Sequence, residues 1–128
     1  MIIWFHLLGK QLKDLDKTSE IKKIGFIQGR LSPMINGKIQ AFPRDYWQQE
    51  FKIAFKIGFR IMEWTLDQEG LYDNPLMTEN GKKEIKSLSQ KYRLTIPSLT
   101  GDCFMHAPYY KVLGEKRKSL LNDFKNII

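Results

Sequence analysis

The chain has 128 residues, 42% hydrophobic and 27% charged, and its 21 basic and 14 acidic side chains give a formal net charge of +7. Proportions this close to globular averages exclude a collagen-like, coiled-coil or globally disordered chain, and the length suits one ordinary domain rather than two. The single cysteine, Cys103, excludes an internal disulfide, which fits a reducing cytoplasm.

The positive excess suits anionic ligands in general. Its lysines, among them Lys52, Lys56, Lys82, Lys86 and Lys116, fall on segments that read as helices, where a solvated face needs charge. No helix-turn-helix, zinc-finger or aromatic-and-basic RNA motif accompanies them, so solvated faces are expected rather than a nucleic-acid patch. The opening MIIWFHLLGK is apolar for only eight residues, too short to span a bilayer, and it lacks the basic start and small-residue cleavage site of a signal peptide. Residues 1–22 therefore read as an extension ahead of a domain over 23–128, with no membrane partner expected.

From Lys23 onward the hydrophobic period switches repeatedly between two and 3.6. Ile24 to Gln28 reads as a first strand, followed by a long loop with the turn pair Asn36-Gly37. A first helix follows, with Asp45 as N-cap, Trp47, Phe51, Ala54, Phe55 and Ile57 on one stripe, and Gly58 past its end as C-cap. Phe59 to Asp67 is β-prone with an acid near its far end and reads as a second strand ending around Glu63 or Trp64. Thr78 can cap a second helix whose inward stripe is Ile85, Leu88 and Tyr92. LTIPSLTGDCF, residues 94–104, reads as a third strand, although Pro97 removes one ladder donor. A last helix from about Gly114 carries Leu120, Leu121, Phe124, Ile127 and Ile128 at helical spacing.

Strands alternating with helices across short helix-to-strand links imply an α/β fold with parallel strands and right-handed crossovers. In such folds ligands bind at the carboxyl ends of the strands. That rule singles out Gln28 and Arg30 after the first strand, Glu63 and Trp64 at the end of the second, and Asp102 and His106 after the third. Arg30 suits either an ordinary loop cation or a phosphate or hydroxyl clamp. Glu63, between Met62 and Trp64, would be a costly carboxylate to bury unless paired or functional. A lone loop histidine such as His106 is ordinarily a surface residue, Cys103 reads as a buried structural thiol, and Trp47 reads as core. The HExxH, Walker, GxGxxG and GxSxG signatures are absent, and one Glu, one Asp and one His from three strand ends do not make a diagnostic metal site.

The segments KIGFIQGRLSP, IQAFP before a Trp-containing helix, GFRIMEW, NPLMTENGKKEIKSL and GDCFMHAP fall in order over about residues 23–108. Together they resemble the N-terminal part of the sugar phosphate isomerase/epimerase family with the xylose-isomerase-like TIM barrel. The resemblance implies the first three βα units of a (β/α)8 barrel and a small sugar, sugar phosphate or related polyol as substrate. It also implies a divalent metal (Mn, Mg, Co or Zn) held by Glu, Asp and His, with proton transfer next to a carbonyl as the chemistry. A TIM barrel takes roughly 200 residues or more, and the family's metal ligands come mainly from later strands. The chain is therefore expected to be an incomplete barrel that does not by itself bind the metal fully and is inactive alone. No metal ligand or catalytic residue is carried over, and the substrate-facing rim is Gln28, Arg30, Glu63, Trp64, Asp102 and His106. The competing expectations are a non-enzymatic half-barrel that binds or self-associates through open sheet edges, and a nucleic-acid-binding relative of the barrel-type DNA-repair endonucleases.

Overall fold

A computed structural model describes residues 24–38 and 41–127. The extension read over 1–22, and Ile128 at the end of the last apolar stripe, lie outside the described residues. Strand β1 (Gly25–Ile27), strand β2 (Ile61–Thr65) and strand β3 (Thr95–Thr100) form a three-stranded sheet in the order β1-β2-β3. Both pairings are parallel. Helix α1 (Trp47–Ile57) links β1 to β2, and helix α2 (Glu79–Tyr92) links β2 to β3. A short helix α3 (Asp102–His106) and a longer α4 (Gly114–Ile127) follow. The molecule is thus α/β, with two β-α-β crossovers of the expected kind.

The core forms because β2 alternates. Met62 and Trp64 are buried, whereas Ile61 and Glu63 on the other face are only half-buried. Trp64 sits in an aromatic stack, 5.7 Å between ring centroids from both Phe42 and Trp47, and Trp47 packs edge-on against Phe51. Edge-to-face contacts of this kind add about 0.5–1.5 kcal/mol each beyond area burial. Helix α2 contributes Ile85, which is buried, and Leu88 and Tyr92, which are half-buried, as its stripe predicts. The opposite sheet face carries Ile61, Glu63 and the exposed Ser98, and no described helix covers it as α1 and α2 cover the first.

The caps explain where elements begin and end, and they correct three expectations. Gly58 ends α1 in the left-handed region (φ 99°), its N–H donating to Ala54 O at 3.0 Å, and Thr78 Oγ1 accepts from Gly81 N at 3.0 Å to start α2. Both caps are as the sequence indicates. Asp45, however, is not the N-cap of α1: a turn closed by Tyr46 N donating to Pro43 O delays the helix to Trp47, and Asp45 is exposed. Strand β2 begins at Ile61 rather than Phe59, because the Phe59 N–H still donates to Ala54 O at the end of α1, and it ends at Thr65, within two residues of the expected end. The third strand stops at Thr100. Leu66 N donates to Thr100 O, Cys103 N donates to Leu66 O, and residues 102–106 turn into α3 instead of extending β3. The suspect Pro97 is accommodated by a shift in register, since Ile61 pairs with Thr95 but Glu63 pairs with Ser98, leaving one extra residue on β3.

Helix α4 is loosely docked. It has no buried residue and is held through Phe124, which packs on Phe104 at 5.0 Å and Tyr109 at 5.9 Å, together with the Tyr72 hydroxyl, which donates to Asp123 Oδ1 and accepts from Asn126 Nδ2.

Candidate functional site at the carboxyl ends of the strands

The links entering the strands are short, residues 58–60 and 93–94, whereas those leaving them are long, residues 28–46, 66–78 and 101 onward. Parallel pairing therefore gathers the long loops at one end of the sheet. Gln28 continues β1 by donating its N–H to Glu63 O at 2.9 Å, so the tip of β1 lies beside the tip of β2. Its carboxamide is fully buried, with Oε1 accepting from Thr65 N at 3.1 Å, while Thr65 Oγ1 donates to Gln28 O at 3.1 Å. A backbone N–H can only donate, so the orientation of the amide is fixed by its partner. Its Nε2 donor, and the Thr100 hydroxyl at the tip of β3, are buried with no hydrogen-bond partner among the described residues.

Glu63 lies two residues inside the tip of β2, half-buried, with Ser98 Oγ donating to its Oε1 at 3.4 Å across the sheet. Asp102 is buried at the first turn of α3, directly after β3, and His106 is exposed at the end of the same helix. Arg30 is exposed in the loop after β1. Trp64 takes no part in the rim surface: it is 1% exposed, and its indole N–H donates to Asn74 Oδ1 at 3.0 Å inside the core. The alternation of β2 turns Trp64 toward the helices and Glu63 toward the opposite face.

A cleft of about 1000 Å³ opens at this end of the sheet, lined among others by Lys38, Arg44, Asp67, Glu69, Asp73 and His106. Asp67, two residues past β2, anchors its wall by accepting from Phe42 N at 2.7 Å. Lys38 pairs with Glu69 at 3.5 Å and Arg44 with Asp73 at 2.9 Å, both in exposed positions. Such pairs contribute roughly 0–1 kcal/mol each, so a ligand carrying its own anion can compete for the two cations at little cost. Hydroxyl groups would find acceptors in the same cleft.

The residue with the least sequence warning is Glu50. It sits in the first turn of α1, wholly buried, where its period places it among Trp47, Phe51 and Ala54. Its carboxylate reaches the loop after β1: Oε1 and Oε2 accept from Gly29 N at 3.0 and 2.9 Å, and Oε1 also accepts from Leu31 N at 2.9 Å and Ser32 Oγ at 3.0 Å. Burial raises its pKa above the ordinary carboxylate value, partly opposed by those hydrogen bonds. Gly29 is required for the approach, because it has φ +92° and an added Cβ would lie 2.6 Å from Ala41 O. The only sequence signal was an acid on the apolar side of a helical stripe.

Among the described residues, no three His, Cys, Asp or Glu side chains group in a way that could hold a metal ion, and no helix is long and apolar enough to cross a membrane. The fold and cleft define an α/β protein with a polar, mixed-charge rim where parallel strands end. No family model, curated protein or solved structure matches the chain.

Proposed function

We propose that the chain supplies the substrate-facing rim of a metal-dependent sugar or sugar phosphate isomerase/epimerase, built on the first βα units of a TIM-type barrel. The observation that carries this reading is the placement of the Gln28–Thr65 pair and Asp102 where three parallel strands end, the end at which a cleft bearing both cations and carboxylates opens; of the sequence-predicted rim residues His106 lines that cleft, whereas Gln28, Arg30, Glu63, Trp64 and Asp102 do not. A phosphorylated polyol needs this combination, with cationic groups for the anion and fixed donors and acceptors for the hydroxyls. The orphaned Gln28 Nε2 and Thr100 hydroxyl add neutral hydrogen-bonding capacity at the tips, where a buried unpaired group otherwise costs about 1–3 kcal/mol.

In this scheme Glu63 orients a ligand hydroxyl, Arg30 or Arg44 holds the anionic end, and Asp67 and Asp102 offer further acceptors. The family chemistry is proton transfer next to a carbonyl, with a divalent metal polarising the oxygen. The described residues do not by themselves provide a fitting metal-ligand set, so no step is assigned through the metal here. The test is a titration of the intact protein with ribulose 5-phosphate and fructose 6-phosphate, followed by backbone amide shifts. Saturable shifts clustered at residues 28–38, 41–44, 63–73 and 100–106, the strand tips and the cleft lining, are expected. Shifts scattered over the lysine-rich helix faces, or none, would refute the reading.

A second reading is a non-enzymatic half-barrel that self-associates. The specific observation in its favour is the pair of sheet edges, β1 and β3, that no further described strand pairs, flanking a sheet face that no described helix covers. A discrete, concentration-independent dimer by light scattering, without sugar phosphate binding, selects it.

A further inference from the structure

Arg30 occupies an unusual place in the loop that leaves β1. The peptide N–H groups on either side of it, Gly29 and Leu31, both donate to the buried Glu50 carboxylate, and Ser32 Oγ donates to the same group. Arg30 N itself donates to Ile27 O at 3.3 Å, which closes the turn back onto the strand. The backbone around Arg30 is therefore held from both sides, while its side chain is exposed. A carboxylate buried without a cationic partner is expensive, and apolar residues of similar size would fill the same helical position more cheaply. Packing alone does not account for it. The three donors that Glu50 gathers all belong to one four-residue stretch, so the carboxylate acts on the conformation of that stretch.

We propose that Glu50 is the positioning residue for Arg30: by clamping Gly29, Leu31 and Ser32 it presets the loop so that the guanidinium is offered to a phosphoryl group of the ligand. The proposal rests on the reading above, in which Arg30 meets an anion, and it adds the residue that makes the encounter preorganised. A guanidinium on a held backbone loses less freedom on binding than one on a loose loop. The charge of Glu50 is turned to the loop donors, which solvate it by hydrogen bonds.

The experiment compares the intact protein with Glu50→Gln, Glu50→Asp, Arg30→Ala and, as a control for general destabilisation, Ile85→Val in the core of α2. Amide hydrogen exchange at Gly29 and Leu31 reports on the clamp, and a glycerol 3-phosphate titration by amide shifts reports on anion binding. Glu50→Gln is expected to speed exchange at both amides by about 100-fold and to weaken glycerol 3-phosphate by about tenfold. Glu50→Asp should recover part of both effects. Ile85→Val should lower the melting temperature without moving the affinity, and Arg30→Ala should abolish binding. Unchanged exchange in Glu50→Gln overturns the clamp. Faster exchange with unchanged affinity overturns the positioning role while leaving the anion reading in place. Absence of binding to the unmodified protein, or full binding by Arg30→Ala, overturns the anion reading and this proposal with it.

Discussion

Replacing Asn74 by alanine should destabilise the fold strongly, because this side chain holds three partners from three directions. Its Oδ1 accepts from the Trp64 indole N–H at 3.0 Å and from Leu76 N at 3.0 Å, and its Nδ2 donates to Thr65 O at 3.1 Å. The residue is 3% exposed, and the bonds to Trp64 and Thr65 are themselves buried. The indole has one donor and loses it entirely, at about 1–3 kcal/mol; the Thr65 carbonyl and the partly buried Leu76 amide add about 1 kcal/mol each. The sum, roughly 3–5 kcal/mol, is a large part of the 5–15 kcal/mol that holds an ordinary domain together. Urea unfolding followed by far-ultraviolet circular dichroism measures it without relying on the fluorescence of the residue being perturbed. Trp64→Phe removes the donor instead of the acceptor, and the double variant with Asn74→Ala should show a coupling of about 1–2 kcal/mol. A loss below about 1 kcal/mol in Asn74→Ala, or strict additivity in the cycle, would refute the network as an energetic unit.

Two further outcomes follow from groups whose protonation the fold perturbs. Glu50 has a pKa raised by burial, so between the ordinary carboxylate value and its folded value the native chain holds a proton that the unfolded chain has lost. Its contribution to stability must therefore fall as pH rises through that window, and a pH series of urea midpoints should show this slope in the native protein and not in Glu50→Gln. A slope of the opposite sign, or one shared equally by the variant, contradicts the burial argument. Cys103 is 2% exposed, and its thiol is pushed up mainly by burial, with Asp102 and Asp67 adding to the effect. Its reaction with Ellman's reagent at pH 8 should be on the order of 100-fold slower in the native protein than in urea. Rapid native labelling would place the thiol at the surface.

Wherever an element depends on nearest neighbours in the chain, the sequence already shows it. Thr78 and Gly58 cap their helices because a hydroxyl three residues from an amide, and a glycine free to adopt positive φ, act locally. The apolar periods of Trp47, Phe51 and Ala54, and of Ile85 and Leu88, likewise report which helix faces turn inward, whereas Phe55 and Ile57, read onto the same stripe as Trp47, are exposed because the last turn of α1 projects past the sheet contact. The alternation of strands and helices sufficed to order the sheet in parallel, since short links into the strands leave few other routes.

Tertiary packing decided what no local pattern contains. Trp64 and Glu63 are neighbours in sequence, yet the sheet sends one into the aromatic core and the other to the uncovered face, and only the position of α1 determines which face is which. Glu50 is a helical acid until the fold brings it to the loop 21 residues earlier, where a carboxylate in a low-dielectric site needs donors and the peptide N–H groups beside Arg30 need an acceptor. Residue order settles the hydrogen-bonding capacity of each group, whereas the partner that meets it depends on how distant segments pack together.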